Sequence, residues 1–442
     1  MILSRRRSPR RRAALVALLV ALAPAGALAA CGDDAPPEDR AAPPPADSVR
    51  EPALAIGLTE ANANLLVSPS ARPAPAGGVG PWRDRLTALH PRYLRLLVDW
   101  SVVQPRAGAE PDWDAPDAGC LRALPPCAPY AGMRDRLRAI ASQQRDGGGF
   151  EVVVQLYNTP AWAGEPPSGC ERGDVPATAR APRAEALPAY RRLVGSLLAL
   201  GRAEGVELRW WAPWNEPDHP TFLAPQRARC STTAPSTAVP AYVRLVRALG
   251  DELRAAGGDR RIVLGELAGY APPRPDRTGT LEFIADLPRA VVCDAAVWAQ
   301  HLYVTDPRRS GSNDLAGEPG DRDLGAIADR IAAALDAHGC PRRLPIWITE
   351  TGQGGGSASR PRATDAATLR DGCRRMHDAL TTWWRHPRVA AAFQYSFRED
   401  DQFPYGLVDT ALTRAYPAYE IWRAWAGDRA PDGPPPPLPA AC

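Results

Sequence analysis

The chain contains no lysine: all 53 basic residues among its 442 are arginine. That absence removes Schiff-base chemistry on a lysine amine, and the lysine of a phosphate-binding loop, from consideration. No Cys-x-x-Cys pair and no His-Glu-x-x-His helix occurs, so nothing marks a zinc site, and the sequence asks for neither metal nor cofactor. No Gly-x-Gly-x-x-Gly follows the first expected strand, which argues against a dinucleotide-binding sheet. Acid is missing from residues 1–30, whereas six arginines (5, 6, 7, 10, 11 and 12) crowd the first twelve positions. Taking those six charges from the formal +3 leaves the remainder at −3. A mildly acidic chain without a basic block is a poor match for nucleic acid, which is excluded as a partner.

The arginine-rich start, an apolar stretch over 13–22 and small residues up to Ala30 read as a signal peptide spanning 1–30. Pro24 and Gly26 interrupt the apolar stretch, which is too short for a stable membrane span. The segment ends Leu28-Ala29-Ala30-Cys31, which resembles the bacterial lipobox, whose cysteine becomes lipidated. The expectation is an exported protein, extracellular or at the cell surface, touching the membrane only through a lipid on Cys31. Residues 31–52 are rich in Pro, Ala and Asp without an apolar pattern, as in a disordered tether. Residues 429–442 form a second proline-rich segment, read as an unstructured strap ending at Cys442.

Between them, residues 53–428 carry ordinary globular composition for one domain, expected to work as a monomer. Short runs rich in Val, Ile, Leu and Trp recur, each followed by a polar loop and a stretch of helical period. Strands are expected near 53–58, 93–98, 151–156, 207–214, 261–266, 296–304, 344–349 and 389–397. Helices are expected near 81–90, 130–144, 187–204, 239–256, 280–290, 323–338, 366–385 and 417–426. Runs such as Glu151-Val152-Val153-Val154-Gln155-Leu156 suit strands buried on both faces. Eight strand–helix repeats give the α/β class and the count of a (β/α)₈ barrel, whose active residues stand at strand C-terminal ends.

Two such ends carry glutamate after a tryptophan-bearing strand. Trp210-Trp211-Ala212-Pro213-Trp214-Asn215-Glu216-Pro217 closes the fourth strand, and Leu344-Pro345-Ile346-Trp347-Ile348-Thr349-Glu350 the seventh. Retaining cleavage of a glycosidic bond needs two carboxyls about 5–5.5 Å apart, one protonated and one ionised. The pattern resembles clan A of the glycoside hydrolases, with families 5 and 39 as the points of likeness. That resemblance implies a retaining hydrolase of β-linked carbohydrate, with Glu216 as acid/base and Glu350 as nucleophile. It implies that Ala299-Gln300-His301-Leu302-Tyr303 supplies a sugar-contacting His301, and a Tyr303 that orients the nucleophile. Asn215 is then expected on the sugar 2-hydroxyl, and Asn158-Thr159-Pro160-Ala161-Trp162 resembles a Pro-x-Trp turn that brings Asn158 and Trp162 to the substrate. Gly406-Leu407-Val408-Asp409 and Arg414-Ala415-Tyr416-Pro417-Ala418-Tyr419 resemble the clan's closing segment.

From position alone, Arg95 at the end of strand two places a positive charge beside the nucleophile, and Glu266 at strand five is a third acid with a possible substrate contact. One departure stands out: many relatives carry tryptophan at the end of strand eight, and this chain reads Phe393-Gln394-Tyr395-Ser396-Phe397, leaving Tyr395 or Phe397 to take its place. A non-catalytic sugar-binding lipoprotein, a solute-binding lipoprotein and a transglycosylase remain open as other readings. The loops over 157–186 and 217–238 fit either a closed pocket or a cleft.

With Cys31 set aside, eight cysteines remain, and an even count in an exported chain favours disulfides. Cys120–Cys127 would close within the one loop they share after strand two. Cys170–Cys230 would join the loops after strands three and four, and Cys293–Cys340 the segments entering strands six and seven. Cys373–Cys442 follows by elimination.

Overall fold

The structure, a computed structural model, describes residues 54–72, 78–116, 132–168, 170, 175–269, 274–304, 323–354, 362–399, 403–426 and 433–442. Eight parallel strands close into a barrel in sequence order. They are β1 (Ala55–Thr59), β2 (Tyr93–Asp99), β3 (Glu151–Tyr157), β4 (Trp210–Ala212), β5 (Arg261–Leu267), β6 (Val297–His301), β7 (Ile346–Thr351) and β8 (Val389–Tyr395). Helices lie between them, giving the expected (β/α)₈ barrel.

Alternation along each strand sorts the side chains into two cores. Leu94, Leu96, Val152, Val154, Leu264, Ile346 and Ile348 point outward and pack under the helices. Tyr93, Val153, Trp210, Val263, Val297, Trp347 and Phe393 point inward and fill the barrel. Four of these are aromatic: Trp347 lies tilted at 4.6 Å from both Tyr93 and Trp210, and Tyr93 stacks at 5.7 Å from Phe393. This layer is the apolar floor beneath whatever lies two residues further along each strand.

The helices also fix the strand ends. Leu187–Glu204 starts with a proline in its first turn and ends at Gly205, whose φ of 76° suits glycine at a helix C-terminus. It buries Tyr190, Leu193, Val194 and Leu197, each such side chain contributing about 1.5–3 kcal/mol. The Tyr190 hydroxyl donates to the Pro213 carbonyl (2.8 Å), tying this helix to the end of β4. Tyr242, on the helix Ala238–Ala256, accepts a bond from the Gly265 N–H (2.8 Å) and so grips β5.

Beyond shifts of a few residues at element ends, three departures from expectation have plain causes. β4 covers 210–212 rather than 207–214, since Pro213 has no N–H for the ladder. The helix expected over 280–290 is two, Thr280–Asp286 and Arg289–Asp294. Pro288 is the cause: it holds Leu287 extended at ψ 138°. Short helices at Ala63–Leu66 and Trp100–Val103, capped by Asn62 and Asp99, escaped the periodicity because one turn is too short to show it.

Disulfides join Cys170 to Cys230, Cys293 to Cys340 and Cys373 to Cys442, with Cα separations of 4.8, 5.2 and 5.4 Å, as topology and elimination anticipated. Cys120 and Cys127 lie outside the described residues. No helix among the described residues is long and apolar enough to cross a membrane. Residues 433–442 form neither helix nor strand, but they are fastened. Cys442 is buried in its disulfide, and His377 Nε2 bonds the Pro436 carbonyl at 2.8 Å. Replacing Cys442 by Ser should cost about 2–4 kcal/mol of stability, typical for closure of a long loop. A lower urea midpoint with an unchanged far-UV spectrum is expected; an unaltered midpoint would show that packing alone holds the tail.

Candidate active site

Directly above the aromatic floor, Arg95 of β2 points inward two residues beyond Tyr93 and is wholly buried. An unpaired guanidinium there would be prohibitively expensive. The chain surrounds it with acceptors: Nη1 donates to Glu350 Oε1 (2.6 Å), and Nη2 donates to Glu266 Oε2 (2.7 Å) and Asn215 Oδ1 (2.8 Å). Burial works against the charge on Arg95, but the carboxylates of Glu266 and Glu350 outweigh it and raise the group's pKa.

His301, also wholly buried, forms the second hub. Its Nδ1 lies 2.8 Å from Glu216 Oε1 and 3.5 Å from Glu350 Oε2, and its Nε2 lies 2.9 Å from Glu266 Oε2. Desolvation disfavours its charge, yet the three carboxylates prevail and push its pKa up to about 10. The imidazole is therefore doubly protonated near neutral pH, with an N–H facing Glu216 and another facing Glu266. Tyr303 donates to Glu350 Oε2 at 2.6 Å, so each oxygen of Glu350 has a dedicated donor. Asn215, its carbonyl held by Arg95, is left with its amide nitrogen as the donor.

Strand alternation alone would send two of these acids the wrong way. On β7, Trp347 faces inward and Ile348 outward, which would turn Glu350 outward. The registers of both flanking strands slip by one residue here, with Gln300 opposite Ile348 but His301 opposite Glu350. On β5, Gly265 pairs with Ala299 and Leu267 with Gln300, so Glu266 is the extra residue of a bulge. Gly265 has φ 106° and Glu266 φ 57°, left-handed values that L side chains seldom adopt. A Cβ on Gly265 would collide with the Ala299 carbonyl oxygen, so only glycine fits. Glu216 also has positive φ (38°), and its N–H donates to the Glu266 carbonyl at 2.9 Å.

The expected site residues thus divide. Arg95, Asn215, Glu216, His301, Tyr303 and Glu350 converge on one network. Asn158, with φ 60°, donates to Asp99 Oδ2 (2.7 Å) at the end of the neighbouring strand. Trp162 sets its ring edge-on to Trp100 and donates to the Gln104 carbonyl at 3.0 Å, half-buried against the outer core. Tyr395, rather than the fully buried Phe397, reaches the mouth. It stands beside Phe403 (5.6 Å), which with Tyr405 and Tyr303 makes an aromatic cluster next to Glu350. Phe403 and Tyr405 come from the loop after β8, where no periodicity flagged them. Glu266 is closed off from solvent entirely, which corrects the expectation of a substrate contact.

A second correction concerns Glu216. The acid/base role calls for a protonated Glu216, with the charge of Glu350 to raise its pKa; burial does raise it, but the hydrogen bond and charge of His301 more than compensate, and the value is lowered. At rest the shared proton sits on His301, and the two groups titrate as a pair.

An oxygen of Glu216, a nitrogen of His301 and an oxygen of Glu350 all lie within 4.8 Å of one another, a spacing a metal ion could also use. Arg95 and Tyr303 already donate to Glu350, and both ring nitrogens of His301 face carboxylates. That donor set suits shared protons better than a cation. A separate concavity of about 590 Å³ opens at the strand N-terminal ends, lined by Arg254, Arg260, Arg261 and Arg342. It lies at the opposite end of the barrel from the charge network.

No protein-family model matches the sequence, and no curated protein matches it. Solved structures do resemble it. A family 39 glycoside hydrolase from Bacteroides cellulosilyticus aligns with TM-score 0.50 and 12% identity over 85% of this chain and 64% of its own. This chain therefore spans a little under two thirds of that protein. A family 5 subfamily 18 enzyme from Bifidobacterium longum, in complex with the disaccharide Manβ1-4GlcNAc, gives 0.50 and 12% over 84% of this chain and 78% of its own. The family 53 catalytic domain of Ignisphaera aggregans gives 0.50 and 13% over 84% and 95%. These neighbours are clan A glycoside hydrolases, and at such identity the likeness shows the fold.

Asp218, two residues beyond Glu216, escaped the sequence reading. It is fully buried, accepts from the Ala268 N–H (2.8 Å), and its Oδ2 has no partner among the described residues. Burial pushes its pKa up to about 7. The folded-state value exceeds the unfolded one of about 4, so its protonation contributes stability that is complete below pH ~4 and lost as pH rises through about 7. Asp218→Asn, which mimics the protonated form, should raise Tm by a few degrees at pH 8 and leave it nearly unchanged at pH 4.5. Equal shifts at both pH values would contradict this titration.

Proposed function

We propose that the protein is a retaining glycoside hydrolase acting on β-linked carbohydrate. The observation that carries the reading is the pair of carboxyls at the C-terminal mouth of a closed barrel, with oxygens within 4.8 Å of each other and unequal surroundings. A separation near 5–5.5 Å favours direct attack, whereas inversion needs about 6.5–9.5 Å to admit a water.

In this reading the Glu350 carboxylate attacks the anomeric carbon as the bond to the leaving oxygen breaks, and Glu216 gives that oxygen a proton. Arg95 and Tyr303 hold the attacking group in one orientation, removing rotational freedom before the reaction starts. The product of this step is a glycosyl ester on Glu350, whose negative charge is gone. Arg95, whose charge lowers the pKa of Glu216, then favours its ionised form. Glu216 takes a proton from an incoming water, which releases the sugar with its original configuration. Asn215 is the residue to bond the 2-hydroxyl, a contact of the kind that strengthens in the transition state. Tyr395 and Phe403 offer apolar faces at the mouth, and Tyr395 is the candidate to take the part that tryptophan plays in many relatives. Trp162 and Asn158 are further candidates for binding sugar units beyond the first.

Export as a lipoprotein anchored at Cys31 belongs to the same proposal. The Leu-Ala-Ala-Cys ending supports it, as do three disulfides, which persist in oxidising compartments. Mass spectrometry of the membrane-associated protein should find Cys31 as a lipidated N-terminus; a mature chain starting elsewhere would refute the anchor.

Glu350→Ala should abolish turnover of all aryl β-glycosides. Glu216→Ala should lose ~10²–10⁴-fold on substrates with poor leaving groups, the usual worth of a general acid. On activated aryl glycosides it should show a fast first step, then slow release that azide accelerates. NMR of the first-formed product should show retained anomeric configuration. Inversion, or normal turnover by Glu350→Ala, would sink the assignment.

A further inference from the structure

Glu266 is a buried charge that the mechanism above never uses. No part of it reaches solvent, so it does not touch substrate. The chain nevertheless gives up regular backbone to place it. It is the extra residue of a β-bulge, it holds φ 57°, and the residue before it can only be glycine. Residues in such conformations cost of order 1–3 kcal/mol each and persist only where surrounding structure enforces them. Here the Tyr242 hydroxyl accepts from the Gly265 N–H, and the Glu266 carbonyl accepts from the Glu216 N–H.

One oxygen of Glu266 serves two hubs: Oε2 accepts from Arg95 at 2.7 Å and lies 2.9 Å from His301 Nε2. Oε1 has no partner among the described residues. Deleting the side chain would leave Arg95 with one carboxylate fewer and His301 Nε2 without an acceptor.

We propose that Glu266 is a positioning residue for the hydrolysis inferred above: it keeps a proton on His301 Nε2 and thereby reserves Nδ1 for exchanging a proton with Glu216. The inference rests on the glycosidase reading for its catalytic meaning, though not for its chemistry. A neutral imidazole has one N–H. With an ionised acceptor fixed at Nε2, that hydrogen stays there, and the Nδ1 lone pair faces Glu216. The proton cycle then balances. Nδ1–H of the imidazolium gives its proton to Glu216 Oε1, and Glu216 passes it to the leaving oxygen. The imidazole remains neutral with its hydrogen toward Glu266. When Glu216 later takes a proton from water, the proton returns to Nδ1 and the resting state is restored. Without the charge of Glu266, hydrogen on Nδ1 becomes competitive, and that form cannot accept a hydrogen bond from protonated Glu216.

The charged and titratable groups around His301 come from several strands: Glu216 and Asp218 after β4, Glu266 on β5, Glu350 on β7, with Arg95 on β2, Tyr303 after β6 and Tyr395 on β8 nearby. Of these acids, Glu266 alone faces Nε2.

The test is Glu266→Gln, which keeps the shape and removes the charge. With ¹⁵N-labelled histidine, the wild-type protein should show His301 titrating near pH 10 and, above that, a hydrogen on Nε2. In the variant the midpoint should fall by ~1–3 on the pH scale, the usual effect of one adjacent opposite charge. The alkaline limb of kcat/KM should move down with it. Activity should drop ~10²-fold on glycosides with poor leaving groups and far less on dinitrophenyl glycosides, since only the former need the acid. A variant with an unmoved His301 midpoint and equal loss on both substrate types would overturn the proposal and leave Glu266 a packing residue. If the variant does not fold, the wild-type spectrum decides: a neutral His301 carrying hydrogen on Nδ1 refutes the inference. If the wild-type protein turns over no glycoside, the function has failed, while the His301 titration still tests the role of Glu266.

Discussion

The buried guanidinium of Arg95 is the constraint around which the C-terminal end of this barrel is arranged. A cation beneath the barrel mouth, above a floor of Tyr93, Trp210, Trp347 and Phe393, cannot rely on water for solvation. Several kcal/mol of desolvation must be met by fixed acceptors. Those acceptors come from three different strands: Asn215 from the end of β4, Glu266 from β5 and Glu350 from β7. Once they converge on Arg95, their negative charges need more compensation than one guanidinium gives. His301 supplies it by holding a second proton, and it is drawn to Glu216 for the same reason. The relation between the two carboxyls at the mouth follows from satisfying one buried charge and then the charges that satisfy it.

Strand geometry had to yield for this to happen. Inward positions of β5 and β7 in strict alternation are Val263 and Gly265, then Trp347 and Thr349; both glutamates fall on the outward set. One extra residue in each strand reverses the parity. The bulges lie at the C-terminal ends of the strands, where the ladder is about to stop and losing one pairing costs least. Two outer helices hold neighbouring strand ends, Tyr190 through the Pro213 carbonyl after β4 and Tyr242 through the Gly265 N–H at the β5 bulge. The helices therefore do more than bury apolar surface. They deliver single hydroxyls to the backbone positions where the barrel departs from regularity.

This explains what could be read from the chain and what could not. Eight apolar runs with helical stretches between them determine the barrel, because burial on both faces leaves an unmistakable composition in strands such as 151–157. The placing of Glu216 and Glu350 at strand ends was equally legible, as was the neighbourhood of Arg95, His301 and Tyr303. Glu266 was visible as an acid at the right height, but a one-dimensional pattern cannot show that a bulge turns it behind Arg95 rather than toward the mouth. Nor could it give the proton to His301: the expectation for Glu216 counted its carboxylate neighbour and omitted the imidazole between them. Asp218 and Phe403 stayed hidden because their roles depend on how loops fold back. Pro288, by contrast, was in plain view, and its break in the helix over 280–294 follows from ordinary proline stereochemistry.

The remaining connections distribute rigidity unevenly around the mouth. Arg362 gathers the segment after β7 and the loop after β8, donating to the Gly406 carbonyl (2.8 Å), to the Gln353 carbonyl and to Glu399 Oε1 (3.1 Å), with its guanidinium 3.9 Å from the Tyr416 ring. Arg398 extends the web to β1, its N–H donating to Glu60 Oε2 at 3.0 Å and its side chain to the Thr410 carbonyl at 2.9 Å. Cys170–Cys230 bridges the loops after β3 and β4 on the same face. A network held by ionic and covalent links of this kind resists the local opening that would admit bulk water to the charged cluster. That resistance matters, because water would screen the interactions that separate Glu216 from Glu350. The carboxyls keep unequal surroundings only while Arg95 and His301 stay dry, so the loop cross-links belong to the electrostatics of the site as much as to the stability of the fold.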